Sequence, residues 1–131
     1  MKYTVLVGRI LFALIFLFAS IGHFSAGEIG YAASQGVPIA SFLVPFSGIL
    51  ALIGGLSILL GYKTKTGAWL IVIFLVPVTF MLHKFWAVTD PMMQQIQMAM
   101  FMKNIALVGG ALILAYFGAG PISIDAKAKI S

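Results

Sequence analysis

The chain of 131 residues contains no cysteine. Disulfide exchange, thiolate zinc sites, iron–sulfur clusters and covalently attached c-type haem all need thiols and are excluded. Charge is nearly as scarce. Charged residues make up 8% of the chain, against about 25% in an average soluble domain. Acids are scarcest of all, with only Glu28, Asp90 and Asp125 present. They do not form a pair of the kind used in acid–base catalysis. No nucleophile–base–acid set is visible, so no catalytic role is assigned. A phosphate-cradling glycine loop is missing too, because Gly54-Gly55 and Gly109-Gly110 lie inside apolar runs.

What is abundant is apolar. Hydrophobic residues make up 62% of the chain and the mean hydropathy is +1.12. A soluble surface cannot be built from so few charges, so the composition indicates a polytopic membrane protein. The net charge of +5 would suggest nucleic acid in a soluble domain. Here the cations sit at the ends of apolar segments, where they orient a chain in a bilayer. No nucleic-acid partner is expected; the lipid bilayer is.

Four apolar segments cover residues 4–22, 41–62, 67–86 and 91–118. The last starts where Asp90-Pro91 reads as a cap followed by proline in the first helical turn. A helix needs about 20 residues to cross about 30 Å of hydrocarbon. None of the segments alternates as a barrel strand would. The expected fold is all-α, a single four-helix transmembrane bundle over 1–131. Lys2 before an apolar run resembles a signal peptide, but Arg9 inside that run favours a retained helix. Lys2, Lys63, Lys65, Lys127 and Lys129 then share one side, and Lys84 lies on the other. That asymmetry places both termini in the cytoplasm of a multi-pass bacterial inner-membrane protein. The outer connection offers Ser25 as the cap of a short interfacial helix reaching Gln35. Ser47, Ala51 and Gly55 recur at every fourth position, as do Ala106 and Gly110, and small ridges of this kind let membrane helices pack closely.

Polar groups inside the apolar segments need partners, since a charge at the bilayer centre costs about 2.5–3.5 kcal/mol. Asp125 is the only acid on the side of Arg9, and the turn at Gly118, Gly120 and Pro121 allows the chain to fold back. A structural ion pair between Arg9 and Asp125 is expected. On the outer side His23, Glu28, His83, Lys84, Trp86, Lys103 and Asn104 form the expected ligand- or partner-binding cluster. Glu28 is the free acid there and the expected partner of the deep Lys103. Two histidines at one depth, without further ligands, do not favour haem. Met98 and Met102 share a helix face but do not favour copper, and no metal site is expected. Polar groups beneath a half-apolar loop suit a quinone or a lipid. Met92, Met93 and their neighbours give the fourth helix an adaptable start that suits a protein partner.

Several stretches match one family. They are Arg9 early in the first helix, Gly-Val-Pro at 36–38, Gly54-Gly55-Leu-Ser-Ile-Leu-Leu-Gly61 and His83-Lys-Phe-Trp86. The C-terminal matches are Phe101-Met-Lys-Asn-Ile-Ala-Leu-Val-Gly-Gly110 and Gly118-Ala-Gly-Pro-Ile-Ser-Ile-Asp125. Together they resemble the DoxX family of small four-helix membrane proteins. Many members of that family carry a glutamate where this chain has Ala51. The resemblance implies an accessory or ligand-binding component of a quinone-linked redox system, with membrane or periplasmic redox proteins as partners. The residues alone leave two other readings: an assembly or chaperone protein for other membrane proteins, and a small-solute transporter working as a homo-oligomer.

Overall fold

The computed structural model describes residues 1–129. Helix α1 covers Thr4–Gly22, α2 Ala26–Ser34, α3 Ala40–Leu60, α4 Thr64–Leu82, α5 Pro91–Phe117 and α6 Ile124–Ala128, with a 3-10 turn at Phe85–Ala87 between α4 and α5. No strand occurs among the described residues. Helices α1, α3 and α5, and α4 together with the turn after it, are long and apolar enough to cross a membrane. Inside lipid a helix is the one open-ended element that satisfies its own backbone amides.

Local chemistry sets several of the ends. Ser25 caps α2 by accepting the Glu28 N–H at 3.2 Å. Asp90 caps α5 by accepting the Met93 N–H at 2.9 Å, with Pro91 in the first turn. Gly61 ends α3 in a left-handed conformation, φ 69°. The Tyr62 N–H then reaches the Ser57 carbonyl at 3.0 Å, and the Gly61 N–H reaches Ile58 at 3.3 Å. These two bonds satisfy the last carbonyls and stop the helix short of residue 62.

Helix α4 departs from the sequence expectation at both ends. It begins at Thr64 instead of 67 because a distant carboxylate caps it: Asp125 accepts the Lys63 N–H at 2.6 Å and the Thr64 N–H at 3.0 Å. It ends at Leu82 instead of 86, where the side chains of His83 and Lys84 turn to partners on other elements.

Helix α3 packs along α1 and α4, α4 packs in turn along α5, α1 meets α5 where Phe12 faces Gly110, and α2 lies against α3. A methyl group on Gly54 would fall 2.9 Å from Ile71, and one on Gly55 would fall 3.1 Å from Leu17. Small residues therefore allow α3 to approach both neighbours, where lipid supplies no hydrophobic drive between helices. Phe16 of α1 meets Phe74 of α4 edge-on at 6.3 Å, across the middle of the bundle. Helix α5 is peripheral: of its 27 residues only Asn104 and Ala111 are buried. At 1.5 Å per residue it is about 40 Å long, about 10 Å more than the hydrocarbon.

The N-terminal residues and the last described ones lie at one end of the bundle, where the Asp125 N–H donates to the Gly61 carbonyl at 2.8 Å. This is the terminal end; α2 and the start of α5 mark the distal end.

Candidate functional site

At the terminal end Arg9 is 1% exposed. Its guanidinium donates to the Ile58 carbonyl at 3.3 Å, and also to the Ile122 carbonyl. Arg9 and Asp125 therefore reach the same joint, but each binds backbone. Among the described residues no Arg9 nitrogen lies within 4.0 Å of an Asp125 oxygen. The sequence suggested a direct pair because it could not show the bare carbonyls of α3 or the bare amides of α4. Gly61 completes the joint, since a side chain there would overlap Arg9 Nη1 and Ser123 Cβ. The hydrogen bonds of Arg9 and Asp125 all tie segments of the bundle together, so the joint is a structural feature, although Arg9 Nε and Thr64 Oγ1 are buried in it without a partner.

The distal end is different. A cavity of about 530 Å³ lies among α2, α3 and α4. Phe46 and Leu50 of α3 and Ile73, Phe74, Pro77 and Val78 of α4 form apolar walls. Polar side chains are confined mainly to the distal rim, where His23, Glu28, Tyr31 and His83 line it. The volume is that of a small-ligand site.

The rim geometry follows from a few contacts. His23 is 8% exposed and its ring lies 5.3 Å from that of Phe74. Its Nδ1 is 2.8 Å from the Ala19 carbonyl and 3.4 Å from Glu28 Oε2. A carbonyl only accepts, so Nδ1 is assigned the proton, and Nε2 is left without a protein partner. His83 repeats the arrangement, with Nδ1 2.8 Å from Gln97 Oε1. The absence of a side chain at Gly22 leaves room for the Glu28 carboxylate, which a Cβ there would overlap. Lys84 Nζ donates to the Gln35 carbonyl at 2.9 Å, two residues before Val37 of the cavity wall.

Of the seven distal residues singled out by the sequence, His23, Glu28 and His83 share the cavity and Lys84 adjoins it. Trp86, Lys103 and Asn104 do not line it. Trp86 is 54% exposed and lies edge-on to Phe85 and Phe101. Lys103 is exposed, with Nζ 3.5 Å from Met100 Sδ. Glu28 turns to His23, so the expected contact between Glu28 and Lys103 is not made. Asn104 is buried on α5. Among the described residues no three His, Asp or Glu side chains gather to hold a metal ion. Tyr31 of the rim and Gln97, which holds His83, are residues that the sequence did not single out. Gln97 stands in a run with Gln94 and Gln95, but nothing in that run indicates which glutamine meets a histidine 14 residues earlier.

The sequence pattern of the SURF4 family matches residues 1–131. The inner membrane protein YqjF of Escherichia coli is 37% identical over 123 residues, which is 92% of this chain and 88% of that protein. The inner membrane protein YphA of the same organism is 29% identical over 125 residues, 93% of this chain and 88% of that one. The ER-derived vesicles protein ERV29 of Saccharomyces cerevisiae is 29% identical over 85 residues, 65% of this chain and 27% of that protein. No solved structure matches. These matches overturn the resemblance to DoxX: paired glycines, an early arginine and a glycine–proline turn suit any small bundle of this shape. The quinone-linked redox role and its redox partners came with that resemblance, and no finding supports them. With YqjF and YphA as relatives and four spanning helices, this is a multi-pass inner-membrane protein. The chain belongs to the SURF4 family.

Proposed function

We propose that this chain is a non-catalytic membrane protein that binds other membrane proteins during their assembly or transport. The observation that carries the reading is the start of α5. The helix exceeds the hydrocarbon by about 10 Å, and its first turns present Met92 at 71% exposure and Met93 at 45%. Flexible thioethers at a water-facing helix end suit partners of varied shape. The relative named as a protein of ER-derived vesicles supports a part in carrying other proteins, although the chain spans only 27% of that relative. With both termini in the cytoplasm, as the lysine asymmetry favours, this overhang faces the periplasm.

A photo-crosslinking residue at Met92 or Met93 tests the reading in cells. Capture of the same few membrane proteins from these positions, lost on Met92→Ser with Met93→Ser and absent from Tyr116, is the expected result. Equal, diffuse labelling from all three positions overturns it.

A further inference from the structure

We infer that the distal cavity holds one acyl chain of a membrane lipid whose headgroup joins a phosphate to a primary ammonium. This goes beyond the protein-binding reading and does not depend on it. The first argument is shape. The cavity runs along α4 from His83 to Ile73, ten residues or about 15 Å of helix. That is half of the roughly 30 Å hydrocarbon, the depth of one leaflet. Its lower walls carry apolar side chains from α3 and α4, and Phe46 and Ile73 are 46% and 56% exposed. The slot therefore opens sideways, toward the lipid.

The second argument is the chemistry of the rim. Two rim imidazoles, each with Nδ1 occupied, leave two Nε2 atoms without a protein partner among the described residues. Glu28 adds a carboxylate beside one of them. Acceptors and a negative charge call for a cation with several N–H donors. A primary ammonium has three; a quaternary ammonium has none. A free fatty acid would set its carboxylate against Glu28. Lys84, held beside the cavity by the Gln35 carbonyl, supplies the positive charge for a phosphate; the Tyr31 hydroxyl at the rim donates to the Leu82 carbonyl at 3.4 Å. The rim is thus complementary to a zwitterion whose cation carries protons.

Native mass spectrometry of the purified full chain tests this. It is titrated with phosphatidylethanolamine and with phosphatidylcholine of the same acyl chains, which differ only in N-methylation. Phosphatidylethanolamine is expected to bind at least tenfold more tightly, with phosphatidylglycerol weaker as well. Glu28→Gln, on a half-exposed side chain, is expected to reduce the preference to threefold or less without lowering the melting temperature. Ile73→Trp, which fills the slot from its lipid-facing wall, is expected to weaken both lipids. Phe46→Trp serves the same purpose from the opposite wall should the first variant fail to fold. Equal affinity for the ethanolamine and choline lipids, a preference that survives Glu28→Gln, or unchanged binding after the slot is filled would each overturn the assignment.

Discussion

Replacing Asp125 tests the logic of the terminal joint. Its carboxylate is 5% exposed and accepts two backbone N–H groups at the start of α4, at 2.6 and 3.0 Å. Removal of a capping side chain costs about 0.5–2 kcal/mol, and a hydrogen bond to a charged group contributes about 1.5–3 kcal/mol. Two such bonds, one on a buried and one on a part-buried amide, place Asp125→Ala at about 3 kcal/mol. Asp125→Asn keeps one acceptor oxygen but turns an NH2 group toward an N–H, so about half of that loss is expected. Arg9→Gln abandons the Ile58 and Ile122 carbonyls, and Ile122 lies three residues from Asp125. The two sites therefore hold the same segment, and the double variant should be less destabilised than the sum of the two, by about 1 kcal/mol. Unfolding of the purified protein in mixed micelles by added dodecyl sulfate, followed by helical circular dichroism, measures all four species. If Asp125→Ala unfolds within about 0.5 kcal/mol of the parent, the capping argument is wrong. If the double variant is strictly additive, the two residues hold separate parts of the molecule.

Two further expectations follow from the same coordinates. Gly61→Ala should destabilise by at least about 2 kcal/mol, because a left-handed alanine alone costs roughly 1–2 kcal/mol and its Cβ would overlap Arg9 and Ser123; parental stability in the same titration would show that the joint yields easily. If the lysine asymmetry sets the topology, a thiol from Thr89→Cys should react with an impermeant maleimide added outside spheroplasts, and one from Lys2→Cys should not; the reverse pattern would invert the topology.

The spans were legible in the sequence because they depend on length and hydropathy, which are local. So were the caps Ser25 and Asp90, each of which serves an amide three residues ahead. Asp125 was legible only as a lone acid in search of a partner. Its true partners are amides 62 and 61 residues earlier, and no periodicity reports a contact of that span. Lys103 shows the limit in another way. On a helix buried on several sides a mid-helix lysine needs a partner, but α5 packs on one main neighbour and leaves this lysine outside. Helix counting expected the rim histidines on one side of the bundle, and both line the cavity, whereas which ring nitrogen is free depends on Ala19 and Gln97 and needed coordinates.

The Arg9 joint also bears on the order in which the molecule can be completed. A ribosome delivers α1 first, so the guanidinium enters the translocation machinery long before its acceptors exist. The Ile58 carbonyl arrives 49 residues later, and the Ile122 carbonyl 113 residues later. Until then the arginine must stay near water or lipid phosphate, which keeps α1 shallow and free to slide. Closing the joint draws α1 to its final depth with a segment made more than a hundred residues later. A nascent chain interrupted before residue 122 would thus expose a basic, unanchored first helix, a state that a membrane protease can distinguish from the finished bundle.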